Sequence, residues 1–215
     1  MLTLVDNKSL LIQCAHTMPV FVDMNRLTYQ RHIAYCSSHG FDFWNIYGNP
    51  EPHKTPGGWD KIFHIKRALA DGYEFVVWMD TDAAVVRDVS LTEALPKTAH
   101  IGGCLHPPNE RLKIESHVNV GVLYFRNTDE TRSFVNAWEA SWPAKDPRWQ
   151  EQGAFNDLSK SSGIVSVIDN KWNSTYQVTE VPDPVVMAWH GSWPLAHRLD
   201  LMREYFRIDY LKYRV

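Results

Sequence analysis

The sequence predicts an α/β domain built on a mixed, mostly parallel central sheet flanked by helices. Three observations carry this. The first part of the chain reads strand, helix, strand, helix, strand, an order that right-handed crossovers turn into neighbouring parallel strands. The third strand lies in "EFVVWM" (74–79) and is apolar without alternation, as a central strand covered on both faces should be. Directly after it stand Asp80 and Asp82, in the position beyond the strand ends where open sheets collect ligands.

Each element has a local reason. "LLIQCA" (10–15) is an apolar first strand, and "NRLTYQRHIAYCSSHG" (25–40) is a helix stopped by Gly40. "FDFWNIY" (41–47) alternates as a strand does. A helix over 59–72 carries Ile62, Ile65 and Leu69 on one stripe. Ser90 and Glu93 form a capping box for a short helix. "HIGGCLH" (100–106) and "HVNVGVLYF" (117–125) are further strands, with antiparallel members admitted among the later ones. Val135, Trp138 and Trp142 stripe the next helix, and Asp146 with Pro147 starts another over about 148–160. "IVSVI" and "VVMAW" are late strands, and Leu201, Tyr205 and Ile208 mark a final amphipathic helix.

The 215 residues fit one domain, without repeats or low-complexity tracts. Lys and Arg number 22 against 25 Asp and Glu, a net charge of −3, so no basic field announces nucleic acid or an anionic membrane. Cys14, Cys36 and Cys104 form no CxxC pair and suit buried thiols in a reducing compartment. "SLLIQCA" is too short for a signal or anchor, so the expected location is the cytoplasm, of a bacterium or of a host if the gene is viral. Aromatic residues make up 13% of the chain, and indole and phenol faces serve both cores and sugar or base recognition.

Two carboxylates at i and i+2, just past a buried strand, point to one side when the chain turns. They then form a hard-oxygen site for Mn²⁺ or Mg²⁺ that also takes substrate phosphate oxygens. Alone, the pair also fits a loop of two solvated aspartates or a helix N-cap. "MAWHGSWP" places His190 directly after a short apolar strand, and an imidazole added to two carboxylates leans towards manganese. By itself His190 fits equally a strand-end histidine satisfied by backbone.

Five segments then occur in order: "GGWDKIFHIKRALADGYEFVVWMDTDAAVV", "HVNVGVLYFRNTDETRSFVNAWEA", "WQEQGAFNDL", "NKWNSTY" and "AWHGSWP". Over roughly residues 55–195 the chain resembles the GT-A-fold nucleotide-sugar glycosyltransferases, nearest the group of xyloglucan xylosyltransferases and yeast-type galactosyltransferases. The resemblance implies a metal-dependent enzyme that retains anomeric configuration and moves a sugar from a UDP- or GDP-sugar to a hydroxyl acceptor. Asp80, Asp82 and His190 would hold the cation. Thr81, Lys61, Asn119, Gly121 and Gly191 would contact the donor, and Ala15, His16 and Thr17 would lie near its nucleotide. Glu151 and Gln152 would face the reacting carbon, Glu151 as nucleophile or as stabiliser of positive charge. Residues up to about 90 would form a nucleotide-binding half and the remainder an acceptor-side half. The chain departs from the family pattern at Val120, where a small polar residue is usual, at Glu151, where Asp is usual, and at Gly191, which follows His190 immediately.

Other readings keep parts of this set. A nucleotidyltransferase or sugar-nucleotide hydrolase would use the same nucleotide, but the segment after the first strand, "CAHTMPVF", lacks a Gly-rich phosphate loop. A carbohydrate-binding module would use the aromatics without needing the acidic pair. The acceptor is expected to be a glycan; a modified base of phage DNA remains open, with the acidic balance counting against it.

Overall fold

The structure is a computed structural model that describes residues 8–15, 18–48, 57–108, 110, 114–143, 149–190 and 194–212. Nine strands and five α-helices are found among them. β1 (Ser9–Ala15), α1 (Pro19–His39), β2 (Phe41–Tyr47), α2 (Asp60–Ala70) and β3 (Phe75–Met79) reproduce the expected opening order. α1 starts earlier than the apolar periodicity indicates. Pro19, whose ring fixes a helical φ, occupies its first turn, and Gly40 closes it at φ 69°.

β4 (Ala83–Val85) follows, and then a 3-10 turn over Leu91–Ala94 where a short helix was expected; Ser90 Oγ caps it by accepting from Thr92 N. β5 (Ile101–His106), β6 (His117–Arg126), α3 (Asp129–Ala140), α4 (Gln150–Ser162), β7 (Val165–Ile168), β8 (Ser174–Thr175), β9 (Val186–Ala188) and α5 (Leu195–Lys212) complete the order. Trp142, read from the sequence as part of the α3 stripe, lies beyond the helix and is 41% exposed. The expected cap at Asp146 and Pro147 lies outside the described residues.

The main sheet has the order β2-β1-β3-β6-β5-β7. All its strands run parallel except β6, which is antiparallel to both β3 and β5. A second sheet, β4-β9-β8, stands beyond the end of β3. Alternate residues of each central strand enter different cores, which explains the unbroken apolar runs. Leu10, Ile12, Val76 and Trp78 pack against α2, α3 and α4, while Leu11, Phe75, Val77 and Met79 face Tyr35 and Cys36 of α1. A third cluster joins Met24 of α1, Ala84 and Met187 of the small sheet, Trp189 just after β9, and Leu199 and Met202 of α5. Among the described residues, no helix is long and apolar enough to cross a membrane.

Candidate active site

The site grows out of the alternation of β3. Val76 and Trp78 face α2, and Asp80, two residues on, continues on that side. Its Oδ1 accepts a hydrogen bond from Trp78 Nε1 at 2.7 Å and lies 3.3 Å from Lys61 Nζ of α2. Lys61 Nζ also pairs with Glu151 Oε1 at 3.2 Å and donates to the Val120 carbonyl at 3.1 Å. The lysine is 4% exposed. Burial alone would pull its pKa down, but the charges of Asp80 and Glu151 outweigh this and raise it. It is therefore a fixed cation clamped between two carboxylates from different elements.

The turn after β3 is held from below. Asp80 N donates to Gly121 O at 2.7 Å, and Ala83 N returns to Asp80 O at 3.0 Å. Gln13 of β1, fully buried, donates from Nε2 to the carbonyls of both Asp80 and Ala83, each at 3.3 Å. Gln13 Oε1 in turn accepts from Asn25 and Thr28 of α1 and lies 3.3 Å from His32 Nδ1. His32 Nε2 accepts from Val85 N, so Nδ1 carries the proton given to Gln13. Nothing in the sequence pattern marked Gln13, Asn25, Thr28 or His32. A polar residue inside an apolar strand, as in "LLIQCA", was the available signal.

Thr81 and Asp82 are buried in the same turn. Asp82 Oδ2 is met by Arg198 Nη1 of α5 at 3.0 Å, and Asp82 O accepts from Trp189 N at 2.8 Å. Burial and the neighbouring Asp80 raise the Asp82 pKa to about 6 against the opposing pull of Arg198. Among the described residues, no three His, Cys, Asp or Glu side chains close around a single point; Asp82 is directed to Arg198.

Asp80 and His190 do converge. A Cβ placed on Gly121 would lie 3.2 Å from Asp80 Oδ2, 3.3 Å from His190 Nδ1 and 3.0 Å from Asn119 Oδ1. Glycine at 121 thus keeps open a small polar cradle. His190 Nδ1 is buried there with no hydrogen-bond partner among the described residues, and burial lowers the ring's pKa to about 4, leaving a neutral imidazole. An orphaned ring nitrogen beside a carboxylate oxygen is a mixed oxygen–nitrogen donor pair, which Mn²⁺ accepts more readily than Mg²⁺. Of the expected ligands, Asp80 and His190 are the two whose donor atoms could hold such a cation here.

The other wall comes from β6 and α4. Asn119 Oδ1 accepts from Gly121 N at 2.8 Å and Asn173 Nδ2 at 3.0 Å. Gln152 Oε1 accepts from Val120 N, while Asn156 bonds both the N–H and the carbonyl of Val118. α4 therefore serves the part of β6 that runs past β3 with side-chain amides. Glu151 is held against Gly58, which precedes α2: a Cβ on Gly58 would be 2.3 Å from Glu151 Oε2.

Lys61, Asp80, Glu151, His190 and Arg198 line both a 570 Å³ cleft and an adjoining 240 Å³ recess. The cleft also takes in Asn119, Gly121 and Gln152, and the recess takes in Cys14, Thr81 and Asp82. A larger groove of 840 Å³, bordered by Trp142 and Trp149, opens beside this cleft rather than over the acidic pair.

Residues 26–187, well over half of the chain, match the family described as nucleotide-diphospho-sugar transferase. The chain belongs to that family. No curated protein sequence matches the transferase. Its fold is shared with a glycosyltransferase involved in glycosylation of the major capsid of PBCV-1 (TM-score 0.72, 16% identity, covering 92% of this chain and 99% of that one). It is also shared with the galactosyltransferase LgtC, solved with donor and acceptor sugar analogues (TM-score 0.59, 14% identity, 91% and 95% coverage). The GT-A fold expected from the sequence is thus present.

Of the residues singled out in the transferase sequence, Lys61, Asp80, Asn119, Gly121, Glu151, Gln152 and His190 gather in one cleft, with Thr81 and Asp82 in the adjoining recess. Ala15 is fully buried at the end of β1, its carbonyl taken by Gly48 N; its neighbour Cys14 reaches the recess instead. His16, Thr17 and Gly191 lie outside the described residues.

Proposed function

We propose that the transferase moves a sugar from a UDP- or GDP-sugar to a hydroxyl of a glycan, with retention and with Mn²⁺ or Mg²⁺ held by Asp80, Asp82 and His190. The observation that carries this is the cradle over Gly121, where Asp80 Oδ2 and an orphaned His190 Nδ1 face one another. When bound, the cation supplies positive charge to the departing diphosphate. Arg198, already beside Asp82, adds a second cation on the same side.

Asn119 presents its amide nitrogen to the donor sugar, because its oxygen is committed to Gly121 and Asn173. Glu151 acts as a fixed anion next to the reacting carbon. Its pairing with Lys61 Nζ occupies Oε1 and lowers its nucleophilicity, which favours stabilisation of positive charge over covalent attack. Gln152 anchors α4 to β6 through its oxygen and leaves its amide nitrogen for the substrate. The acceptor enters along the groove bordered by Trp142 and Trp149, whose flat apolar faces suit sugar rings. The three cysteines are free and buried, which supports a reducing, cytoplasmic setting.

A screen of nucleotide sugars by thermal shift, with and without Mn²⁺, is expected to yield one donor that stabilises the protein only with metal. Asp80→Asn and Asp82→Asn are each expected to abolish Mn²⁺-dependent release of nucleoside diphosphate from that donor. Full activity in either variant, or in excess EDTA, would overturn the metal assignment.

A further inference from the structure

Behind His190 lies a second pair of groups that no sequence motif marked. His190 Nε2 is 2.9 Å from Thr175 Oγ1, and the same oxygen is 3.0 Å from His106 Nε2. The two imidazoles are 5.3 Å apart and nearly parallel, with their Nε2 atoms 3.4 Å from one another. All three side chains belong to buried residues: His106 ends β5, Thr175 lies in β8, and His190 follows β9.

A hydroxyl has one proton to give and lone pairs to receive. It cannot satisfy two bare Nε2 atoms with that proton. Two Nε2–H groups would leave the hydroxyl proton without either ring as acceptor. One ring therefore donates to Thr175 and the other accepts from it. Only two directions are self-consistent, and they place opposite tautomers at His190.

We propose that Thr175 and His106 are positioning residues that set the His190 tautomer: His190 Nε2–H donates to Thr175 Oγ1, and Thr175 O–H donates to His106 Nε2. That direction leaves His190 Nδ1 without a proton, its lone pair directed into the Gly121 cradle. The reverse direction would put an N–H there, buried and with no acceptor within hydrogen-bond distance among the described residues, and would block a cation. The role in metal binding rests on His190 being a ligand; the tautomer itself does not.

The test combines two readouts. Long-range ¹⁵N NMR of the His190 ring in metal-free protein reads the tautomer, and electron paramagnetic resonance titration with Mn²⁺ reads its affinity. Wild type is expected to show Nε2–H. Thr175→Val removes the bridge, and His106→Phe frees the Thr175 proton to turn towards His190. Both are expected to shift the ring towards Nδ1–H and to weaken Mn²⁺ binding about 10- to 100-fold. Thr175→Ser and His106→Gln, which keep a hydroxyl and an acceptor, are expected to restore both readouts. A wild-type ring already protonated at Nδ1, or tautomer and affinity unchanged in Thr175→Val and His106→Phe, would overturn the proposal. The tautomer pattern without Mn²⁺ binding in wild type would retain the tautomer control and overturn its metal role along with His190 as ligand.

Discussion

A methyl group on Gly58 would meet the Glu151 carboxylate at 2.3 Å, closer than any real side-chain contact allows. Gly58→Ala is therefore expected to displace Glu151 while leaving the cores intact. Nucleoside diphosphate release should fall about 100-fold, with little change in melting temperature, because misplacing a reacting group by about 1 Å costs that much. Lys61 behaves differently. Lys61→Met leaves Asp80 and Glu151 facing each other without their shared cation, and should cost about 3 kcal/mol in urea unfolding as well as activity. At this scale much of the site was legible. Asp80 and His190 could be named from their donor chemistry, and Lys61 and Glu151 from the family resemblance. What Lys61 would touch was not legible, since its partners lie 19 and 90 residues along the chain and meet it only through packing of α2, β3 and α4. Gly58 was not singled out in "GGWDKIF" for the same reason.

The strands and helices show which signals survive without tertiary information. β3 and α2 were plain from their patterns, because an unbroken apolar run of five residues and an eleven-residue helical stripe are readable without tertiary information. β4, β8 and β9 have two or three residues each, and β4 and β8 went unread; only their pairing defines them. The polar network between β1 and α1 was also hidden, although it fixes the carbonyls on which the Asp80 turn rests. Gln13→Leu would strip hydrogen bonds from Asp80 O and Ala83 O and remove an acceptor of Asn25 Nδ2 and His32 Nδ1, while Thr28 Oγ1 keeps Asn25 O. A loss of about 3 kcal/mol is expected from the buried groups left unsatisfied. Amide exchange should accelerate at Val85, whose N–H depends on His32, before it accelerates in the middle of β3.

Across the molecule, buried histidines set the acid response. Burial lowers His32 and His106 to about 3, and His64 and His190 to about 4, against an ordinary value of 6.5. The unfolded chain therefore binds more protons than the folded one in this range. Their stabilising contribution is full above about pH 6.5 and is lost progressively as pH falls towards 3 to 4, at up to about 1.4 kcal/mol per pH unit for each proton. Asp82, raised to about 6, acts in the opposite sense, its contribution lost as pH rises from 3.8 to about 6. Urea midpoints are expected to drop between pH 6.5 and 5, and His32→Gln should flatten that slope by close to one proton. The small sheet and α5 also tie the site to the calendar of synthesis. Asp80 and Asp82 leave the ribosome after Lys61, and His190 and Arg198 follow roughly 5–20 s later at ordinary elongation rates. Stalled chains ending before β9 are expected to show no Mn²⁺-dependent donor binding. The nascent protein passes most of its making as an unarmed scaffold, and chemistry becomes available only when the last strand and helix close over the acidic turn.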